Sequence, residues 1–359
     1  MVEKINAIFV DEDPRDSERY TRLLTKNEII SVLPIFPPSE INQLPLEPIP
    51  DLIVIDYLLT NLQPSGITAS YRGGTLANYI SEQLPEIPLV LLSTRSILNK
   101  HPNYEDEIRA IDCVLYKDSV NEDPEKAIKT LLALSNGFKT LKTVNEEDRT
   151  WMNILVLLRA SENEEESLQK ASPPRRTIDE KWGVKAVSKW ILRTLFKYPG
   201  IFYDSLFAAS ALGINESSFQ KQEVQEFFKD AYYTGVFSDM KKLWWKDRLL
   251  KIAFTCIREA GVEPRLSDNF MTAFYKTTEN KLEPSICIFS DEEHANTVCY
   301  ILNKPVKMKY TLGYLPDDRP ESLEQARISF TAAISDNVKE EYIPKADAEL
   351  LPMIRRGEL

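Results

Sequence analysis

A chain of 359 residues with 43% hydrophobic and 28% charged side chains reads as a globular protein with room for two domains, and its net charge of −11 argues against a general binder of nucleic acid or membrane surfaces. The four cysteines (Cys113, Cys256, Cys287, Cys299) lie far apart without CxxC or CxxH spacing, which speaks against zinc or a disulfide framework and for buried thiols in a reducing compartment. The start "MVEKINAIFV" lacks the features of a leader, and no apolar run of about 18 residues occurs, so a cytoplasmic protein is expected.

In chain order, "NAIFV" (Asn6–Val10) is a short apolar run that predicts a buried strand. It ends in Asp11, Glu12 and Asp13, and Pro14 then opens a helix with Tyr20, Leu23 and Leu24 on one face and Asp13 as its N-cap. "IISVLPIF" (Ile29–Phe36) carries Pro34 and predicts an edge strand. "DLIVID" (Asp51–Asp56) is the cleanest buried strand, and "GTLANYISEQL" (Gly74–Leu84) a helix closed by Pro85. "PLVLLS" (Pro88–Ser93) and "CVLYK" (Cys113–Lys117) predict two more strands. A helix over Asp123–Leu134 follows, with Pro124 in its first turn and Ile128, Leu131 and Leu132 on one face. Continuous apolar strands alternating with helices predict a parallel, doubly wound, five-stranded sheet covered on both sides.

In such sheets the chemistry gathers at the carboxyl ends of the strands. Those ends carry Asp11 and Glu12, then Asp56, Ser93 and Lys117. Carboxylate oxygens suit Mg²⁺, which pairs readily with phosphate oxygens. Asp56 is placed to attack a phosphoryl donor, with Lys117 and a metal to neutralise the developing charge and Ser93 to hydrogen-bond one phosphoryl oxygen.

At these residues the chain resembles the receiver domain of two-component response regulators. The motifs are "VDEDP", "LIVID", "PLVLLS" and "YK", with Asp56 45 residues after Asp11 and Lys117 24 after Ser93. The resemblance covers roughly residues 4–142. It implies a flavodoxin-like fold and a phospho-acceptor at Asp56, with Glu12 and Asp56 as direct Mg²⁺ ligands. Asp11 would act through water, and the Leu58 carbonyl would complete the shell. Three features depart from the family pattern. Asp118 stands where a proline commonly follows the lysine. Val114 occupies the usual place of the switch aromatic, with Tyr116 two residues on as a substitute. The connection Tyr57–Gly74 is long, which suggests a flap or a partner-binding loop. A degenerate receiver that is never phosphorylated is the alternative.

Residues 143–176 are expected to form an apolar helix ("WMNILVLLRA") and a charged, proline-containing linker, with a second domain at 177–359 starting near Thr177. That part predicts a mainly helical domain with an α+β end. Helices are expected through Val184, Val187, Ile191 and Leu195, in "FYDSLFAASALGI" and "QEVQEFFKDAYYTGVF", and in "KLWWKDRLLKIAFTCIREAG" up to Gly261. From Ser285 the texture is β-leaning. The stretch Ser205–Lys221, with Gly213 at a turn, has helix-turn-helix grammar, and residues 175–260 hold 15 Lys and Arg against 10 Asp and Glu. Glu216, Glu223 and Glu226 on the second helix disfavour DNA. The aromatic set Trp182, Trp190, Tyr232, Tyr233, Phe237, Trp244 and Trp245 is expected in the core rather than as a stacking platform. His101 and His294 are expected in exposed loops, and Asp317, Asp318, Arg319 and Arg327 as surface ion pairs.

The sequence reading is thus a response regulator that takes a phosphoryl group from a histidine kinase onto Asp56 with Mg²⁺. It would switch contacts with its own C-terminal domain or a downstream protein, or act as a phosphate sink. A transcription regulator and an effector with an unrecognised C-terminal activity are the alternatives. A homodimer is left open.

Overall fold

The structure is a computed structural model that describes residues 4–101, 104–144, 150–171, 173, 183–316, 323–335 and 338–358. Trp182, Asp317, Asp318, Arg319 and the expected boundary at Thr177 lie outside the described residues. The chain divides into two compact units. The first takes Met1–Leu157, Pro174–Leu192 and Val236–Met240, and the second Leu158–Pro173, Arg193–Gly235 and Lys241–Leu359.

Five short runs without a charged residue in their interiors build the centre of the first unit. They are β1 (Ile5–Val10), β2 (Ile30–Ile35), β3 (Leu52–Asp56), β4 (Leu89–Ser93) and β5 (Cys113–Tyr116). All pair in parallel in the order β2-β1-β3-β4-β5, the flavodoxin-like order. Pro34 sits in β2, at the sheet edge where its missing N–H costs no ladder bond. Every residue of β3 and β4 is buried, as expected where both faces of a parallel sheet are covered.

The helices of this unit are α1 (Pro14–Leu24), α2 (Gly73–Gln83), the short α3 (Arg95–Asn99) and α4 (Tyr104–Glu107), α5 (Lys117–Glu122) and α6 (Pro124–Thr143). Ile8, Val10, Ile53, Ile55, Leu89 and Leu91 pack with Leu76, Ala77 and Ile80 of α2. Phe9 points the other way, edge-on to Tyr20 of α1 at 6.5 Å between ring centres.

The middle of the chain departs from the composition-based division. α7 (Trp151–Leu158) is followed by α8 (Glu162–Lys170), a helix where a linker was expected. Ser161 and Glu164 form a capping box at its start, and Glu164 takes a two-pronged bond from Arg248 at 2.9 and 2.8 Å. That pairing satisfies a nearly buried carboxylate. α9 (Val184–Trp190) belongs to the first unit rather than to a separate C-terminal domain. Its Lys185 pairs with the buried Asp112. Phe237, from the short segment Val236–Met240 of the same unit, lies where a Cβ on Gly137 of α6 would be, 2.1 Å from its ring. The bare glycine makes that seat.

In the second unit the residues 202–203 and 244–245 form a two-stranded ribbon, β6 (Phe202–Tyr203) with β7 (Trp244–Trp245). The expected long helix therefore starts only at Lys246, as α13 (Lys246–Glu259). α10 (Ser205–Ala211), α11 (Glu216–Phe219), α12 (Gln222–Phe227) and α14 (Leu266–Thr278) pack with it around Phe219, Phe228, Phe270 and Phe274. A separate core holds the hairpins β8 (Thr297–Cys299) with β9 (Lys304–Val306) and β10 (Thr311–Tyr314) with β11 (Ala326–Ser329). Around them lie α15 (Phe330–Ile334), α16 (Lys345–Ala348) and α17 (Leu350–Arg355). The expected mainly helical part with a mixed end matches this arrangement. Among the described residues no helix is long and apolar enough to cross a membrane.

Candidate phosphoryl and metal site

Strand register assembles the site. Val10 pairs with Ile55, so Asp11 leaves β1 beside Asp56 at the end of β3. Asp56 pairs with Leu92, and Ser93 is the next residue of β4. Ser93 pairs with Tyr116, and Lys117 follows directly. All five residues expected from the sequence thus arrive at one edge of one sheet, and all five are at least nine-tenths buried.

Carboxylate oxygens of Asp11, Glu12 and Asp56 lie within 4.8 Å of one another. The Lys117 ammonium is 3.0 Å from Asp56 Oδ1 and 3.7 Å from Asp11 Oδ2. The Leu58 N–H donates to Asp56 Oδ2 at 3.1 Å, and the Asp13 N–H to Asp11 Oδ1 at 2.8 Å. Asp11 Oδ2, Glu12 Oε2 and the Ser93 hydroxyl are buried without a hydrogen-bond partner. Orphaned buried oxygens of this kind call for a missing partner. Three carboxylates in one pocket fit a hard divalent cation such as Mg²⁺.

Electrostatics agree with that fit. Burial, reinforced by the Asp56 charge, pushes the Asp11 carboxyl up to about 8. Burial also raises the carboxyls of Glu12 and Asp56, against the pull of Asn61 and Lys117 respectively. Burial opposes the charge on Lys117, but Asp56 and Asp11 outweigh it and hold the ammonium protonated well beyond its usual range.

Asp13 belongs to the helix instead. Its Oδ1 accepts the Arg15 N–H at 2.8 Å as the N-cap of α1, which holds its carboxyl low. Tyr116 stands next to Ser93 in the ladder, half-buried, with the Arg95 guanidinium 4.3 Å over its ring.

Three contributors escaped the sequence reading. Asp16, in the first turn of α1, is 2.8 Å from Lys117 Nζ. Asn61 donates from Nδ2 to Glu12 Oε1 at 2.5 Å. Gly73 opens α2 so close to the acceptor strand that a Cβ there would lie 2.0 Å from the Asp56 carbonyl oxygen. The "RGG" after a turn-rich loop was the available signal for Gly73. Asp16 gave no comparable signal, because Glu12 precedes the helix that carries Asp16.

The long connection between β3 and α2 is packed rather than free. Tyr57, Leu59, Ala69 and Tyr71 are buried, Gln63 donates to the Pro37 carbonyl at 2.7 Å, and Tyr71 to Pro38 at 2.8 Å. Tyr57 donates to Glu107 at 2.6 Å and stacks obliquely on His101, which is half-buried instead of exposed. Leu58, through its N–H to Asp56, and Asn61, through its amide to Glu12, tie the loop to the acids.

The helix-turn-helix grammar does not survive. α11 is four residues long, a single turn, which cannot fill a major groove as a recognition helix. Gly213 adopts φ +72°, and a Cβ there would strike the Ser267 carbonyl at 2.0 Å. His294, also half-buried, places Nδ1 3.1 Å from the Gly213 carbonyl. Of the aromatic set, Trp190, Tyr233, Phe237, Trp244 and Trp245 are buried and Tyr232 is half-buried, as expected of core.

No family model matches the chain, and the comparison with curated proteins finds no relative. Receiver domains are among the solved structures it is similar to. The isolated receiver domain of RcsB from Salmonella enterica serovar Typhimurium is 22% identical, with a TM-score of 0.30 over 38% of this chain and 91% of that one. A receiver domain of a Francisella response regulator is 19% identical (TM-score 0.27, 37% and 98%). That of NarL from Mycobacterium tuberculosis is 19% identical (TM-score 0.28, 38% and 98%). The strand order and the five polar side chains at one sheet edge, taken from this chain itself, give its N-terminal part the receiver fold.

Proposed function

We propose that the first unit is a phosphorylatable receiver and the chain a response regulator. The observation that carries this is the convergence of three buried carboxylates, a buried lysine and a partnerless buried hydroxyl on the carboxyl edge of one sheet. Asp56 would attack the phosphorus of a phosphohistidine on a histidine kinase. A bond from phosphorus to a carboxylate oxygen forms, and the phosphorus–nitrogen bond breaks with its electron pair returning to the imidazole. Asp11, Glu12 and Asp56 would hold Mg²⁺, with the Leu58 carbonyl, and the ion when bound offsets charge on the phosphoryl oxygens. Lys117 would neutralise a further oxygen, and the Ser93 hydroxyl, free of any protein partner, would turn to donate to one.

The added charge of roughly −2 would act on Ser93 of β4 and on Lys117, which directly follows β5. β5 follows Asp112, whose carboxylate anchors Lys185 of α9. We read the output as a change in protein contacts, through this chain's own C-terminal polypeptide or a separate partner. A phosphate-sink role needs no further activity. DNA is not favoured, given the single-turn α11.

The test is labelling with acetyl phosphate and Mg²⁺, or with a histidine kinase. Wild type should take up an acid-stable, base-labile label that Asp56→Ala loses and chelation prevents. No label would leave a receiver fold without phosphoryl chemistry, and a label independent of Asp56 would overturn its role as the acceptor.

A further inference from the structure

Lys117 is not shared among the three pocket acids alone. Its nearest carboxylate is that of Asp16, with Oδ2 at 2.8 Å, inside the 3.0 Å to Asp56 and the 3.7 Å to Asp11. The Lys117 side chain is 9% exposed and that of Asp16 35%, so the ammonium leans from a closed pocket toward an acid at its rim. Asp16 stands outside the three-acid cluster, and its contact with the site is through Lys117. The first turn of α1 is fixed by the Asp13 cap, and Tyr20, one turn on, sets its ring 5.5 Å from the same ammonium. Helix α1 thereby holds one side of Lys117 in place.

We infer that Asp16 is a positioning residue that holds part of the Lys117 charge away from Asp56 and so tunes how strongly the pocket takes a cation; this rests on the acceptor reading above. The ammonium and a divalent cation compete for the Asp56 and Asp11 oxygens. While Asp16 retains the ammonium, those oxygens are more available to the cation. With Asp16 neutralised, Lys117 turns fully onto Asp56 and Asp11 and opposes the cation at closer range. Once a phosphoryl group sits on Asp56, the same ammonium has two claimants, so Asp16 also limits how tightly it clamps that group.

The test is a Mg²⁺ titration of the full chain, read by calorimetry, over wild type, Asp16→Asn, Lys117→Met and the double variant. Asp16→Asn should weaken Mg²⁺ binding about tenfold, in line with coupling between residues in one charged network. Lys117→Met should strengthen it. In the Lys117→Met background Asp16→Asn should change it less than about threefold, because the effect runs through the ammonium. Additive effects, or wild type that does not bind Mg²⁺, would overturn the inference. Acetyl phosphate labelling of wild type in parallel keeps the two readings apart. Label with an additive cycle removes the role of Asp16 and leaves the acceptor. A coupled cycle without label keeps Asp16 and removes the acceptor.

Discussion

Replacing Asp11 by Asn should stabilise the metal-free protein, although Asp11 belongs to the proposed site. Its carboxyl is pushed from the ordinary 3.8 up to about 8 by burial and by Asp56. A folded-state value above the unfolded one means that the native state binds the proton more tightly. Native stability from this group is complete below about pH 4 and is lost as pH rises toward 8. At about 1.4 kcal/mol per pH unit, that is roughly 4 kcal/mol lost by pH 7, an upper bound because the pocket relaxes. Asn keeps the size and the acceptor for the Asp13 N–H without the charge. Asp11→Asn should therefore gain about 2–3 kcal/mol at pH 7.5 in EDTA, a rise of roughly 5–10 °C in Tm for a unit of this size. Its advantage should shrink toward zero near pH 4. Mg²⁺ should narrow the gap from the other side, since tenfold excess over Kd stabilises wild type by about 1.4 kcal/mol and the variant by less. Urea unfolding at pH 4, 6 and 8, with and without Mg²⁺, measures all of this. Equal stability at pH 8 without metal, or a pH-independent advantage, would refute the reasoning.

Gly73→Ala must move either α2 or the Asp56 carbonyl, because its Cβ would sit 2.0 Å from that oxygen. We expect a loss of about 2–3 kcal/mol in urea unfolding and weakened Mg²⁺ binding, and unchanged values of both would contradict the close packing. Lys185→Met removes the ammonium paired with the buried Asp112 carboxylate. It should cost about 3–5 kcal/mol, and Asp112→Asn in the same chain should restore much of it. Gly137→Leu fills the seat of the Phe237 ring, so the amides of 236–240 should lose hydrogen-exchange protection while the β-sheet amides keep theirs.

The sheet and the five polar residues at four of its strand ends were legible because the strands are short, mainly apolar runs and the strand end is where such folds place chemistry. "LIVID" and "PLVLLS" leave no other way to bury both faces. What stayed hidden were contacts made by residues whose role depends on helical phase or on the absence of a side chain. Asp16 looks like a routine acid of a first turn, and only the register of α1 against β5 brings it to Lys117. Gly73 and Gly137 act through the atoms that they lack. The charged "SENEEE" read as linker from composition, yet its Ser-x-x-Glu spacing is a capping box that outweighed the polar bias. Trp244 and Trp245 fell into a long apolar pattern that fits helix or strand, and the pairing with Phe202 and Tyr203 decided for strand. Among the described residues of the second unit no comparable set of buried acids gathers at strand ends, so nothing in the order of its residues pointed to chemistry.

The acids that crowd the end of β1 are four, and the fold gives them different work. Asp11 and Glu12 turn into the pocket, each leaving one buried oxygen with no hydrogen-bond partner. Asp13 turns out to cap α1, whose N-terminal dipole would by itself favour an acid there. Asp16 takes the same favourable position one step later and adds a hold on Lys117. Like charges so close in sequence would repel if they shared one environment. They coexist because the helix start separates them. Two face a site suited to a cation, one faces backbone N–H groups, and one faces an ammonium. On this account the run is stable without a bound ion only to the extent that Asp11 stays protonated, which is why its replacement by Asn and the addition of Mg²⁺ should relieve the same strain.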